Sequence, residues 1–567
     1  MLSQRSTPVK MSQEAANKLP RWSLLALLTL FAVCGFWASG LWTLRDAVSF
    51  GTAVSMLSGG VSGWLMPVIV DAPVVDAGPM TGWLTAGILA LARATGLMGD
   101  IAATRFAACL LFAATTAALW YGTWHLARRP EAQPIAFAFG GEANPRDYGR
   151  VVADSAVLLF VSTFGILTRQ HEALPDTALL TMAALSFYGL TLGLRHPLWG
   201  AFIAGAAAGA AVVSTTLFAG CWLLVLALLT IQLLRGFKVH RRKRLGVALL
   251  GALAGFLPWP LLSFLAAPQE AVLWFSEWLP AQLQHFSLVG PETYLWFAKN
   301  AVWYLCPLWP FVIWAIYTWR HQLRQTHILL PFAAVLAGIP AIVFSSFQAY
   351  DTVFLAFLPT LAVLAAFGLV TVRRGYENVL DWFSINIFTM GILVLWAYWL
   401  AWLTNFAPKM SASIERLAPG IAPVIDSGFA LAICSTICWV VFVGWRLTHR
   451  PVVIWRGPWL SAAGITAFSA SLIGLYHTAL DVNRSYEPVV TAVAAELRAK
   501  GLSTDDCVAG VGFNHGLQSL FKYYAGIDVL TRDTSERCRF RIVRSRGERT
   551  GVSRPHTDES FIVVTTH

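Results

Sequence analysis

The chain has 567 residues, of which 57% are hydrophobic and only 13% are charged, and its formal net charge is +11. A water-soluble protein carries roughly 25% charged residues, so this composition excludes a soluble globular protein and indicates that lipid surrounds most of the chain. The excess of Lys and Arg does not indicate nucleic-acid binding, because the cations stand in short clusters between apolar runs, as the positive-inside rule expects of a membrane protein.

The apolar runs predict a polytopic α-helical membrane protein with about 13 transmembrane helices. Residues 1–21 form a polar, basic tail, and the run Trp22–Leu44 exceeds the apolar core of a cleaved signal, so we expect an uncleaved first span. The other runs are each near the roughly 20 residues that a bilayer demands. These further spans are expected to begin near Ile101, Val151, Thr177, Leu198, Thr216, Leu245, Ala301, Ile328, Thr352, Ile385, Ser427 and Leu460.

Clusters of Lys and Arg in alternate loops give the orientation. They fall on the same side as the basic tail, and that side is cytoplasmic. An odd number of spans then places residues 480–567 in the periplasm, so we expect a multi-pass inner-membrane protein with a transmembrane domain at 22–479. The clusters include Arg128, Arg129, Arg146 and Arg150; Arg195; Arg235, Lys238 and Arg241 to Arg244; Arg320 and Arg324; Arg373 and Arg374; and Arg446, Arg450 and Arg456.

The acidic residues gather in the outer loops rather than within the spans, which is unlike a pump or channel. The first outer loop also holds the apolar segment Gly82–Leu97, whose Arg93 favours a helix lying in the membrane interface. A carboxylate there could take a proton from an acceptor hydroxyl while cations offset the charge of a departing phosphate. For any single loop acid, simple solvation is the commoner explanation. The candidates are Asp46, Asp71, Asp76, Asp100, Glu172 and Asp176, with Arg45, Arg169 and His171 as nearby cations.

Residues 480–567 are predicted to form a small periplasmic α/β domain. Helices are expected at Pro488–Lys500 and Leu517–Tyr524, and short strands at Cys507–Val511, Ile527–Leu530, Cys538–Val543 and Phe561–Val564. Cys507 and Cys538 are the only cysteines in this segment. They form a disulfide if the compartment is oxidising or remain two buried thiols. No cysteine–histidine spacing resembles a zinc site.

The order of the motifs resembles the GT-C glycosyltransferases, in particular the branch of aminoarabinose transferases and protein mannosyltransferases. The resemblance covers most of the chain, and each motif is loose. Three motifs depart from the pattern: Ala47 replaces the second acid of a pair, Ala77-Gly78 stands where a lysine is expected before Pro79, and Gln348 stands where a cation is common. The matching segments are Asp46, Met56-Leu57, Gly63–Pro67, Asp76–Pro79 with Trp83, His171–Leu180 with Asp176, and Phe344–Pro359 with Tyr350.

The resemblance implies a transferase that moves a sugar from a polyprenyl-phosphate donor to a lipid or glycan acceptor at the periplasmic face. It implies that Asp46 is the central catalytic carboxylate and that Asp176 binds or orients a substrate. The acids permit a divalent cation but do not require one. The substrate-binding candidates are Arg45, Asp76, Arg169, His171, Glu172 and Tyr350.

Two other functions stay open at this point. A transporter or flippase of a lipid-linked glycan would carry broken helices near the bilayer midplane in related halves, and the sequence shows no such repeat. A catalytically diverged membrane partner on the same scaffold fits the loss of the acid at Ala47 and of the loop lysine. The sequence identifies neither the sugar nor the acceptor.

Overall fold

In the computed structural model of the protein, the described residues are 7–37, 40–167, 175–343, 351–372, 374–449, 453–503, 506–532, 538–546, 551–553 and 559–565. Most of them are helical. The N-terminal helices are α1 (Arg21–Val33), α2 (Leu44–Ser58), α3 (Gly60–Leu65), α4 (Met80–Thr95), α5 (Asp100–Ala127), α6 (Pro145–Val161), α7 (Phe164–Leu167) and α8 (Pro175–Gly193).

The remaining helices continue to the C-terminal segment. They are α9 (Pro197–Ser214), α10 (Leu217–Leu233), α11 (Arg241–Phe256), α12 (Pro258–Ala266), α13 (Pro268–Gln284), α14 (Pro291–Tyr304), α15 (Leu308–Thr318), α16 (Thr326–Val343), α17 (Asp351–Leu369), α18 (Arg374–Thr404), α19 (Pro408–Leu417), α20 (Ser427–Thr448), α21 (Arg456–Arg484), α22 (Glu487–Ala499) and α23 (His515–Leu520).

Several helices are long and apolar enough to cross a bilayer. By length and composition, six such segments occur within the described ranges, and the bent pair α14–α15 adds a seventh if it counts as one span. α1, α10, α16 and α17 are apolar but shorter. The chain is therefore a multi-pass membrane protein, and the count of 13 spans stays a prediction. The six segments are 100–127, 197–214, 241–266, 378–404, 427–448 and 456–499.

The predicted first span, Trp22–Leu44, is not one continuous helix. α1 ends at Val33, and a 3₁₀ turn, Cys34–Trp37, follows it. Glycine has a low helix propensity, and Gly35 and Gly40 weaken a helix there. α2 then begins after Thr43, whose hydroxyl accepts a hydrogen bond from the backbone N–H of Asp46 at 3.1 Å. Asp46 therefore lies in the first turn of a new helix rather than in a loop.

The first outer loop folds as a compact unit of α2, α3, a two-stranded hairpin and α4. The hairpin pairs β1 (Val68–Ile69) with β2 (Ala72–Pro73) in antiparallel register. α4 covers most of the predicted interfacial segment and ends at Gly96, whose φ of 66° is the left-handed cap that glycine allows. α4 packs closely on α2, since a Cβ at Gly82 would lie 2.9 Å from the sulfur of Met56.

The C-terminal segment carries five short strands, β3 (Val508–Val511), β4 (Val529–Leu530), β5 (Phe540–Arg546), β6 (Val552–Ser553) and β7 (Glu559–Thr565). They form one sheet in the order β4-β3-β5-β7-β6, with β3 parallel to β4 and β5 and the other pairs antiparallel. Cys507 and Cys538 form a disulfide beside β3 and β5. α21 runs on to Arg484, so the predicted domain boundary at 480 falls inside a helix.

The C-terminal segment is packed directly on the start of α2. Leu41, Ala47 and Phe50 share one buried apolar cluster with residues of α22, α23 and the sheet. The approach is close: a Cβ at Gly516 of α23 would lie 2.5 Å from the carbonyl oxygen of Leu44. The C-terminal segment thus packs on the start of the helix that carries Arg45 and Asp46.

A second contact joins the C-terminal segment to the hairpin of the first outer loop. The carboxylate of Asp71 accepts hydrogen bonds from the backbone N–H groups of Thr531 and Arg532, at 2.7 and 2.9 Å, and from Gln518 Nε2 at 2.7 Å. Burial alone raises the pKa of Asp71, but these hydrogen bonds outweigh it and hold the pKa below its usual value. Arg532 in turn pairs with Glu277 of α13 at 2.5 Å.

Candidate active site

A cavity of about 350 Å³ opens where the N-terminal ends of α2 and α8 meet the end of α13. Its wall combines apolar side chains with a small number of polar ones, which is the usual make-up of a ligand site. Three of the residues predicted from the sequence line it: Arg45, Asp76 and Asp176.

Arg45 and Asp176 form an ion pair across the cavity wall. Both stand in the first turn of a helix, Arg45 in α2 and Asp176 in α8. The positive end of a helix dipole stabilises the carboxylate of Asp176, whereas it disfavours a cation. Arg45 is held there by Asp176, and its side chain, which lines the cavity, remains 38% exposed. The pair therefore presents a guanidinium that an anionic ligand can reach.

Asp46 faces away from this cavity. Successive residues of an α-helix are about 100° apart, so Arg45 and Asp46 point to different neighbours. Arg105 of α5 holds both oxygens of Asp46, with Nη1–Oδ1 at 3.2 Å and Nη2–Oδ2 at 2.9 Å, and also donates to the carbonyl of Gly40 at 3.1 Å. Asp46 is fully buried and Arg105 is 3% exposed. The catalytic role of Asp46 stays a prediction, and in this conformation its carboxylate is occupied by Arg105.

The loop carrying Asp76 is fixed by a close approach to the α9–α10 junction. The N–H of Gly78 donates to the carbonyl of Thr215 at 3.2 Å. A Cβ at Gly78 would lie 2.1 Å from the carbonyl oxygen of Val213. A lysine, which the resemblance leads one to expect just before Pro79, has no room at this position. The cavity thus obtains its cation from Arg45 rather than from this loop.

His285 lines the same cavity and was missed by the sequence analysis. It directly follows α13. That helix contacts the first outer loop, since Trp274 donates to the carbonyl of Pro67 at 3.3 Å and Gln282 to that of Val75 at 2.7 Å. Burial lowers the pKa of His285 below its ordinary value, and the negative charge of Asp76 opposes that shift. The imidazole is therefore neutral at pH 7, the form that can accept a proton.

Arg105 was also missed, although the sequence held a signal for it. An arginine inside an apolar run is costly in a membrane unless it is paired, and Arg105 stands near the start of the predicted span at Ile101. The sequence could not name its partner, because Asp46 is 59 residues away along the chain. His285 offered no comparable signal, since a lone histidine after an amphipathic helix is ordinary.

Four predicted residues, Arg169, His171, Glu172 and Tyr350, lie outside the described residues. The cavity does include the first described residue after one of these segments, Pro175, and Val353, which follows the other closely. Their substrate-binding roles stay predictions.

Some residues at the cavity are of the types that bind a divalent cation. Asp76, Asp176 and His285 supply ligand types that bind metal ions. Within the part of the chain that the structure describes, however, no three His, Cys, Asp or Glu side chains come close enough to hold one ion. Asp76, Asp176 and His285 therefore form no three-ligand cluster by themselves.

The fold agrees with the one that the sequence resemblance led us to expect, because solved structures of a membrane transferase match it over almost the whole chain. The solved structure of ArnT, the aminoarabinose transferase, from Cupriavidus metallidurans bound to undecaprenyl phosphate matches with a TM-score of 0.64 and 14% identity, covering 96% of this chain and 98% of that one. Its apo structure matches with a TM-score of 0.62 at 15% identity, covering 96% and 97%. No protein-family model and no curated protein matches the sequence. At this identity the likeness establishes the fold.

Proposed function

We propose that the protein is a membrane glycosyltransferase that moves a sugar from a polyprenyl-phosphate donor to a lipid or glycan acceptor at the periplasmic face of the inner membrane. The observation that carries the proposal is the cavity itself, where a partly exposed guanidinium, two carboxylates and a neutral imidazole converge. The fold supports the proposal, since ArnT, which this chain matches over 96% of its length, has been solved with undecaprenyl phosphate.

Arg45 is proposed to bind the phosphate of the donor. A guanidinium binds phosphate through two parallel hydrogen bonds, so an incoming phosphate competes with Asp176 for the same group. Exchange of partners would leave Arg45 on the phosphate and release the carboxylate of Asp176 into the cavity. Asp176 is then available to hold a sugar or acceptor hydroxyl. Ion-pair exchange would therefore couple donor binding to exposure of the acid.

The transfer itself exchanges one bond for another. The acceptor oxygen attacks the anomeric carbon of the sugar, and the bond from that carbon to the phosphate oxygen breaks. The bonding electron pair leaves with the polyprenyl phosphate, whose charge Arg45 offsets. We assign the acceptor's proton to neutral His285. Direct proton transfer at Asp46 would first require its ion pair with Arg105 to open.

The Arg45–Asp176 pair also favours a second candidate, a catalytically diverged protein that binds a lipid phosphate without transferring a sugar. In that case Arg45 would contact the phosphate without releasing Asp176, and the acid would stay unavailable to an acceptor. The two candidates differ in one outcome, because only the transferase changes the glycans of the cell.

The test is mass spectrometry of envelope lipids and glycans from cells that lack the gene and carry either the wild type or a variant. We expect the deletion to lose one glycan and to accumulate its lipid-linked sugar. Arg45→Gln should fail to restore the glycan, because loss of one charged contact to the departing phosphate lowers the rate about 10²–10³-fold.

Arg93→Gln is the matched control. Arg93 also pairs with an aspartate, Asp100, in the same outer region, but it does not line the cavity. Full restoration by Arg93→Gln is expected. An unchanged glycan profile in the deletion would overturn the transferase and leave the diverged binder.

A further inference from the structure

Three arginines lie together at the far end of α5 from the candidate active site. Arg128 follows the last residue of α5, and Arg146 and Arg150 stand in the first turns of α6. With Trp124 they line a pocket of about 260 Å³. From Arg105 to Arg128, α5 runs about 35 Å at its normal rise, so this pocket is separate from the cavity at Arg45.

The pocket positions Arg128 rather than leaving it free on the surface. Its guanidinium lies over the indole of Trp124, 4.3 Å from the ring centre. Gly149 of α6 makes room for this stacking, because a Cβ there would lie 2.7 Å from Cγ of Arg128. Such stacking holds the planar group in one orientation and leaves its N–H donors in a fixed fork.

The cluster has more positive than negative charge. Among the described residues, no carboxylate forms an ion pair with Arg128, Arg146 or Arg150, and the Nε of Arg128 is buried without a hydrogen-bond partner. Two acids of α6 belong to the same region, and Asp154 lines the apolar cavity that Arg150 also lines, but both acids have other partners. Asp147 binds Lys18 at 3.3 Å, and Asp154 accepts a hydrogen bond from Trp120 at 2.7 Å.

A long apolar groove of about 760 Å³ begins at the same place. It runs between α1 on one side and α5 and α6 on the other, and Arg150 lines both this groove and the arginine pocket. Its side facing the surroundings is open, since Leu25 is 62% and Phe106 is 39% exposed. A cationic pocket that continues into an open apolar groove is complementary to a molecule with an anionic head and a hydrocarbon chain.

We propose that this site binds an anionic phospholipid, with its phosphate on Arg128, Arg146 and Arg150 and an acyl chain in the groove beside α1. Basic pockets between membrane helices bind anionic headgroups, each cation contributing about fivefold in affinity. The occupant is a resident lipid rather than a substrate, because the pocket lies at the opposite end of α5 from Arg45. This assignment does not depend on the proposed transfer reaction.

The test titrates the purified full-length chain with phosphatidylglycerol in detergent, using native mass spectrometry to count bound lipid. We expect the wild type to bind phosphatidylglycerol at least about tenfold more tightly than phosphatidylcholine. The triple variant Arg128→Gln, Arg146→Gln, Arg150→Gln should lose this preference. Ala113→Trp fills the groove without changing a charge and should weaken phosphatidylglycerol binding several-fold, so the proposal stays testable if the triple variant does not fold.

The matched control removes the same charge elsewhere. Lys238, Arg242 and Lys243 are exposed cations of another basic cluster, and their replacement by Gln should leave phosphatidylglycerol binding unchanged. An equal loss in this control would reduce the effect to net charge and overturn the site. Full displacement of phosphatidylglycerol by inorganic phosphate would reassign the pocket to a free anion. Displacement by equimolar undecaprenyl phosphate would reassign it to the substrate lipid.

Discussion

The buried pair of Asp46 and Arg105 gives the sharpest test of how the site is built. Both charges are shielded from solvent, and the guanidinium holds both carboxylate oxygens as well as the carbonyl of Gly40. Removing one partner of such a pair leaves an uncompensated buried charge and costs about 3–5 kcal/mol. We expect Asp46→Leu and Arg105→Met each to lower the free energy of unfolding by about that amount.

The double variant should be far more stable than the sum of the single changes predicts. Replacing both charges with apolar groups removes the desolvation cost along with the attraction, and the result is often neutral. A double-mutant cycle measured by unfolding in mixed micelles should therefore give a coupling energy above about 2 kcal/mol. The exposed pair of Arg93 and Asp100 is the control, and its cycle should give less than about 1 kcal/mol. If the losses in free energy of unfolding at Asp46 and Arg105 simply add, the two side chains do not form a buried ion pair.

The same variants separate the two roles of Asp46. If Asp46 reacts directly, the folded double variant and Asp46→Asn both lack sugar transfer. If Asp46 only anchors α2 through Arg105, the double variant regains transfer together with its fold. Near-normal turnover in Asp46→Asn would remove the predicted catalytic role.

Three further predictions concern the C-terminal segment and the proton acceptor. Replacing Cys507 and Cys538 with Ser opens a 31-residue loop, so thermal unfolding should show a loss of ~3–4 kcal/mol, and an unchanged transition would contradict this. The pKa of Asp71 is lowered on folding, so the stability that its carboxylate adds is fully present above its unfolded pKa near 3.8 and is lost as pH falls through the lower folded value. Asp71→Asn should therefore make the C-terminal segment more sensitive to proteolysis at pH 7. Asp528→Asn, which removes only the exposed pair with Lys522, should not. Because burial lowers the pKa of His285, transfer activity should persist below pH 6.5. His285→Gln should cut turnover about 10²–10⁴-fold and remove the fall in activity at acidic pH. If that fall survives in the variant, the proton goes to another group.

Much of the fold follows from local patterns in the sequence. The long apolar runs predict the membrane helices, and the short apolar runs near Val508 and Phe561 predict strands that the structure contains. The sequence allows either a disulfide or two buried thiols at Cys507 and Cys538, and the structure contains the disulfide. Such features depend on neighbouring residues, so their signal is in the sequence itself.

The arrangement at the site depends on contacts between distant residues, and the sequence carries little sign of them. Whether Arg45 or Asp46 faces the cavity depends on where α2 begins, which is set by the cap at Thr43. His285 reaches the cavity because α13 packs against the first outer loop. A shift of one residue in the start of α2 turns its side chains by about 100°, and this is why the predicted catalytic acid and the cavity-facing cation are adjacent residues with different surroundings.

The most direct test of the proposed transfer is stoichiometric release of the lipid carrier. Purified protein in lipid nanodiscs is incubated with the lipid fraction and the acceptor glycans extracted from cells lacking the gene, and free polyprenyl phosphate is quantified by mass spectrometry. A glycosyltransferase should release one polyprenyl phosphate for each sugar gained by the acceptor, with Arg45→Gln at least about 100-fold slower and Arg93→Gln unchanged. Acceptor that gains no sugar, although the wild-type protein binds the donor lipid, would contradict the proposed function.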